Sequence, residues 1–107
     1  MKKTIFAIAA FILIAACSKS DDMKLKEIVN NIENAIRPLS KEAATAYWNG
    51  TITGESGYFE IYSQNSMKIT SIYSDPATFA TLKSIKERDN IEDPILKREL
   101  EILYNNF

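Results

Sequence analysis

Near its start the chain reads LKEIVNNIENAI (residues 25–36), and this stretch sets the fold class. Its apolar residues recur at intervals of three and four positions: Leu25, Ile28, Val29, Ile32 and Ile36. That spacing puts them on one face of an α-helix, whereas a strand would alternate apolar and polar residues at every second position. The stretch therefore predicts an amphipathic helix from about Asp22.

Pro38 is expected to limit this first helix. Proline has no backbone N–H, and its ring disfavours helical angles at the residue before it, here Arg37. We therefore expect the helix to end near Ile36 or to kink there.

A second helical segment is predicted from Lys41 to Trp48, which is rich in the helix former alanine. Ser40 is its candidate N-cap. Asn49-Gly50 is its candidate C-terminal stop, because both residues tolerate left-handed backbone angles. Residues 51–54 then read as a short loop.

Three more helices are predicted downstream. Residues 55–74 carry aromatic and aliphatic side chains at helical spacing over four turns. Asp75-Pro76 and Asp93-Pro94 each combine an N-capping aspartate with a proline at the first helical position. The helix after Asp75 is expected to run to about Arg88.

The whole pattern predicts an all-α fold, in which a signal-peptide helix precedes four or five amphipathic helices in an antiparallel array. The last helix carries an apolar stripe of Leu96, Leu100, Leu103 and Phe107. This stripe is still amphipathic where the sequence stops. We therefore expect residues 23–107 to form an incomplete domain.

The first 16 residues have the organisation of a signal peptide. Lys2 and Lys3 are basic, and the apolar run from Ile5 to Ala16 would span about 18 Å as a helix, well short of a hydrocarbon core of about 30 Å. Ile14-Ala15-Ala16-Cys17 matches the bacterial lipobox, in which a cysteine thiol accepts diacylglycerol. Cys17 is therefore the predicted lipid-attachment site.

Lipidation fixes the expected location of the protein. An acylated Cys17 anchors the chain in the bacterial cell envelope, and residues 17–22 then serve as the acylated cysteine and a polar tether. Ser20-Asp21-Asp22 resembles the acidic signal that sends some lipoproteins to the outer face of the outer membrane. Outer-membrane attachment with surface exposure is the expectation, and a plain solvated linker is the alternative.

The composition argues against most catalytic chemistry. The chain has no histidine, and lipidation of Cys17 would consume its single thiol, which removes histidine bases, thiolate nucleophiles and Cys/His zinc sites. Without the leader, 11 basic and 14 acidic residues give a net charge of −3, with no basic footprint for nucleic acid. We predict no catalytic, cofactor-binding or metal-binding residue in this chain.

Paired carboxylates are the remaining candidates for acid–base chemistry. They occur at Glu87/Asp89, Glu92/Asp93 and Glu99/Glu101. Such chemistry needs two carboxyls held in a cleft with environments that separate their pKa values. These pairs lie at predicted helix ends or on a solvated face, so we expect them to have structural roles.

Several segments together resemble a known family. They are Arg37-Pro38-Leu39, residues 46–54 (AYWNGTITG), Ile72-Tyr73-Ser74-Asp75-Pro76 and residues 92–104 (EDPILKRELEILY). This set is similar to the N-terminal part of bacterial zinc metallopeptidases related to angiotensin-converting enzyme (peptidyl-dipeptidase A). The thimet oligopeptidase and oligoendopeptidase group is a close competitor.

The resemblance implies an all-helical zinc peptidase whose first helices form a lid over a substrate channel. In that family, catalysis depends on a His-Glu-x-x-His motif that binds Zn²⁺ and activates water. No position of this chain matches that motif. Zinc is therefore expected only in a full-length parent.

Two interpretations of function follow. In the first, this chain is a truncated N-terminal, lid-like portion of a membrane-anchored zinc peptidase, inactive by itself, whose partner is the missing catalytic portion. In the second, it is a stand-alone helical lipoprotein that binds a protein or peptide. Both interpretations keep the membrane as a partner through Cys17.

Overall fold

The computed structural model describes residues 19–107, which form four α-helices. These are α1 (Asp21–Thr53), α2 (Ser56–Tyr73), α3 (Pro76–Arg88) and α4 (Pro94–Asn106). The described range contains no strand, so the predicted all-α fold is confirmed. The predicted signal-peptide helix lies outside this range.

Ser20, which was predicted to belong to the tether, is the N-cap of α1. The Ser20 Oγ accepts a hydrogen bond from the Met23 backbone N–H at 3.3 Å. Asp21 and Asp22, which the sequence analysis assigns to the tether, form the first helical turn. Their carboxylates are near the positive end of the helix dipole, where negative charge is stabilising.

The expected end of this helix near Ile36 is wrong, because α1 continues through Pro38 for 33 residues. The predicted helix at 41–48 and most of the loop at 51–54 are parts of the same element. A proline removes one backbone hydrogen bond and costs about 3 kcal/mol in a helix interior. Packing of Ala43 and Ala46, which are buried, against α2 supports the helix beyond that point.

The helix stops at Gly54 instead of at Asn49-Gly50. Gly54 has a left-handed φ of 73°, and its N–H donates to the Gly50 carbonyl at 2.8 Å. Gly50 itself is buried, and a Cβ at this position would lie 3.0 Å from the ring of Phe59. Gly50 therefore serves close packing, while Gly54 makes the turn.

α1 and α2 form a long antiparallel hairpin. Near the turn, the ring of Tyr47 lies 5.3 Å from that of Tyr62 and 6.2 Å, edge to face, from that of Phe59. Ala43, Ala46 and Gly50 place small side chains at helical spacing along the buried face of α1. These small residues let the two helices approach closely.

The core lies at the opposite end of the hairpin, where α3 and α4 pack on the N-terminal half of α1. Leu25, Leu82 and Ile85 are fully buried there. The core cluster is completed by Ile91, Leu96, Leu100 and Leu103. Of the apolar stripe predicted for the last helix, Leu96, Leu100 and Leu103 are buried and Phe107 is partly buried.

The Asp-Pro signals are confirmed as helix starts. The Asp75 carboxylate accepts from the Thr78 N–H at 2.7 Å, and the Asp93 carboxylate accepts from the Ile95 N–H at 2.9 Å. The hydrogen bonds from Thr78 hold the pKa of Asp75 below its usual value. α3 ends at Asp89, which adopts a left-handed φ of 49°.

Candidate docking surfaces

Cys17, the predicted lipid-attachment site, lies outside the described residues. The paired carboxylates, which were not expected to be catalytic, are all exposed at helix ends, in the α3–α4 connection or on α4. Within residues 19–107, no group of three or more His, Cys, Asp or Glu side chains is arranged to hold a metal ion. In the same range, no helix has both the length and the apolar character needed to cross a membrane.

The arginines are held apart by separate ion pairs. Arg37 pairs with Glu33 one turn earlier on α1. Arg88 donates from Nε at 2.7 Å and from its terminal amine at 2.8 Å to the two carboxylate oxygens of Asp21. Arg37 is thus paired within α1, whereas Arg88 is paired across from α3 to the start of α1.

A group of exposed apolar side chains lies near the turn of the hairpin. We call it the hairpin tip and define it by Tyr47, Trp48, Ile52, Phe59 and Tyr62. Trp48 is 66% exposed and Ile52 is 64% exposed. An exposed apolar side chain alone is ordinary, but a group with four aromatic side chains indicates an interaction surface.

The hairpin tip is exposed because only two helices meet there. A pair of helices can bury only the two facing stripes, and here the α1 stripe is made of alanine and glycine. At the other end, α3 and α4 add a second layer over α1, which buries Leu25 and partly buries Ile28, Val29 and Ile32. The long hairpin therefore has a core at one end and uncovered aromatic side chains at the other.

A second apolar feature is a cleft of about 240 Å³ between α1 and α4, which we call the α1–α4 cleft. Its apolar lining consists of Val29, Ile32, Ile36, Tyr73, Ile102 and Leu103. Glu33 and Glu99 are the charged residues that line it. Ile102 is 53% exposed, so this cleft is open to solvent.

Sequence reasoning missed both surfaces. It placed Trp48 at the end of a short helix and Ile52 in a loop, so the two were not seen as neighbours on one helix. A usable signal was the second glycine, Gly54, which offers an equally good stop one turn later. The α1–α4 cleft depends on packing between helices about 70 residues apart in sequence, and periodicity carries no such information.

Comparisons of the chain with protein-family models, curated proteins and solved structures find no match.

Proposed function

We propose that this chain is a lipid-anchored, non-catalytic helical module that acts as the lid-like N-terminal portion of a zinc peptidase. The observation that carries the proposal is the hairpin tip. One of the segments that resembles the peptidase family, 46–54, forms the α1 side of this tip, where Trp48 and Ile52 are exposed. A lid needs such a surface in order to contact the portion that it covers.

The composition of the hairpin tip supports docking to protein. Tryptophan and tyrosine dominate the energetics of protein interfaces, because they bury a large area with little loss of side-chain freedom. Tyr47 and Trp48 are adjacent on α1 and are both more than half exposed. Contacts with Phe59 and Tyr62 hold Tyr47 in place, so the surface is preorganised.

The described residues do not fit a zinc ion, because no suitable group of ligands exists among them and the chain has no histidine. In this proposal, zinc and the catalytic residues belong to a separate portion of the enzyme. Lipid on Cys17 would hold the start of α1 near the membrane. The 33 residues of α1 span about 50 Å, which lets the tip reach a partner beyond the headgroup layer.

The test starts with the DNA that follows the Phe107 codon, translated in all frames. We expect a helical segment with a His-Glu-x-x-His motif. Co-expression of that segment with this chain should give zinc-dependent release of dipeptides from a fluorogenic peptide, whereas either portion alone should give none. Absence of the motif from all frames would overturn the peptidase proposal.

The hairpin tip has its own test within the same assay. Trp48→Ala with Ile52→Ala should weaken association of the two portions at least tenfold, since two exposed anchors are removed. The matched control is Ile95→Ala, which removes a 72% exposed aliphatic side chain far from the tip. Equal effects of the two changes would show that the tip has no special role.

A second candidate function is a stand-alone helical lipoprotein that binds a protein or peptide. The observation that favours it is the core at the base, where Leu25, Leu82 and Ile85 are completely buried by the chain's own helices. A unit with such a core has the organisation of an independent domain. Purified mature chain that unfolds cooperatively as a monomer, together with no downstream His-Glu-x-x-His, would favour this function.

A further inference from the structure

The α1–α4 cleft has the shape of a docking groove for a helix. α1 presents Val29, Ile32 and Ile36 along one side at helical spacing, and α4 presents Ile102 on the other. Tyr73 from the end of α2 and Leu103 complete the apolar lining. A third helix laid against two helices in this way would insert a ridge of side chains into the groove between them.

The size of the cleft favours side chains over a small molecule. Its volume of about 240 Å³ lies below the 300–1,000 Å³ that is typical of ligand pockets. It exceeds the volume of about 150 Å³ that accommodates a benzene ring. One or two aliphatic side chains from a packed helix therefore fill it.

The charged residues at the cleft indicate which charge a bound helix should carry. Glu33 and Glu99 line it, and no lysine or arginine does. Glu33 forms an ion pair with Arg37 at the surface. Such an exposed pair contributes little to the stability of the fold. Glu99 takes part in no ion pair within the described range, so its carboxylate is available to a cation.

We infer that the α1–α4 cleft binds an amphipathic helix of another polypeptide whose apolar stripe is flanked by lysine or arginine. The apolar stripe fills the cleft, and a cationic side chain beside it pairs with Glu99. An acidic helix of the same shape is repelled by Glu99. This inference goes beyond the proposed lid function, because it uses a different surface from the hairpin tip.

The test uses the lipidated mature chain in phosphatidylcholine nanodiscs. The probe is an 18-residue helical peptide with leucine on one face, lysine on the other and a photoreactive group at a central leucine. We expect cross-links on residues that line the α1–α4 cleft, above the background of empty nanodiscs. A peptide with glutamate in place of every lysine should cross-link at least tenfold less.

Matched variants locate the binding. Ile102→Lys and Glu99→Lys should each lower the cross-linking yield at least tenfold at a subsaturating peptide concentration. The controls are Ile95→Lys and Glu101→Lys, which change exposed positions of α4 outside the cleft and should leave the yield within twofold. All four positions are solvent-exposed, and circular dichroism checks that helicity is retained.

Several results would overturn the inference. These are equal labelling by the lysine and glutamate peptides, equal loss in the control variants, or cross-links that map to the hairpin tip. A supporting result is cross-linking that survives Trp48→Ala, since that change affects the tip alone. Failure of the lid assay together with intact labelling of the cleft would reject the proposed function and keep this inference.

Discussion

At the scale of single residues, the contact between Asp21 and Arg88 has the clearest physical signature. It joins the first turn of α1 to the last residue of α3 through two hydrogen bonds of 2.7 and 2.8 Å. The Arg88 guanidinium holds the pKa of Asp21 below its usual value, and the Asp21 carboxylate raises the pKa of Arg88. A bidentate pair of this kind fixes the relative orientation of the two side chains in addition to its electrostatic attraction.

This pair predicts an acid-sensitive part of the stability. Because the pKa of Asp21 is lowered on folding, its contribution is fully present above the unfolded value of about 3.9. It is lost as the pH falls through the folded pKa. Asp21→Asn should therefore lower the Tm at pH 7, and the difference from the unmodified chain should shrink below about pH 4.

Asp75 also contributes to the loss of stability at low pH, because hydrogen bonds from Thr78 lower its pKa. Both chains in the comparison keep Asp75, so the difference in Tm between them isolates Asp21. Thermal unfolding followed by circular dichroism from pH 3 to 7 gives the measurement. A difference in Tm that is independent of pH would contradict the prediction.

Cys17 gives the second prediction at this scale. If its thiol carries lipid, Cys17→Ser should move the protein from the membrane fraction to the soluble fraction, because each buried methylene contributes about 0.8 kcal/mol to anchoring. Lys19→Ala, two residues further on, is the control and should stay with membranes. Unchanged fractionation of Cys17→Ser would reject the lipoprotein prediction.

At the scale of the helices, the two Asp-Pro signals predicted helix starts correctly, whereas the start predicted at Ser40 and the end predicted near Ile36 were wrong. Asp75-Pro76 and Asp93-Pro94 act through hydrogen bonds to residues two or three positions away, so the sequence contains the whole interaction. The continuation of α1 through Pro38 depends on packing against α2, which lies far along the chain. Local propensity is overridden there by tertiary contacts.

Pro38 itself is therefore expected to reduce stability. Pro38→Ala restores an N–H that can donate to the Asn34 carbonyl and should raise the free energy of unfolding by about 1–3 kcal/mol. Urea unfolding measures the change. Ser40→Ala is the control at a nearby exposed position and should alter stability by less than about 0.5 kcal/mol. No gain from Pro38→Ala would mean that the proline fits α1 without strain.

Gly50 and Gly57 separate helix propensity from packing. Propensity alone favours Gly50→Ala, because Gly50 lies in a helix interior and Gly57 in the first turn of α2. An added Cβ at Gly50 meets the Phe59 ring at 3.0 Å, whereas one at Gly57 meets nothing within 4 Å. We expect Gly57→Ala to stabilise by up to about 1 kcal/mol and Gly50→Ala to gain less, as measured by urea unfolding. The opposite order would show that Phe59 moves aside freely.

At the scale of the whole molecule, the hairpin has two unequal ends. The base buries aliphatic residues from α1, α3 and α4, while the hairpin tip relies on contacts between two helices. The sequence predicted the helices and most core positions, because periodicity marks the buried face of each helix. It did not predict the tip or the α1–α4 cleft, since both depend on which helices lie side by side. Trp48, for example, is exposed although its neighbour Tyr47 contacts Phe59 and Tyr62 of α2, and the local sequence does not reveal this difference.

This asymmetry predicts that the core formed by α1, α3 and α4 is locally more stable than the hairpin tip. Amide hydrogens around Leu82 and Ile85, which are fully buried, should exchange at least tenfold more slowly than those around Trp48 and Phe59. Hydrogen exchange of the purified chain, read by mass spectrometry, measures both regions in one experiment. Uniform exchange along the hairpin would contradict the prediction, because it would mean that the tip unfolds only with the base.

The same experiment distinguishes the two proposed surfaces. A partner that covers the hairpin tip should slow exchange around Trp48 and leave residues 99–106 unchanged. The lysine-bearing helical peptide should slow exchange in residues 29–36 and 99–106, which line the α1–α4 cleft.

Trp48 adds an optical check, since it is the single tryptophan of the chain and is 66% exposed. Its fluorescence should shift to shorter wavelength when the tip is covered and stay constant when only the cleft is filled. A blue shift on addition of the peptide would show that the peptide covers the tip, against the assignment of this helix to the cleft.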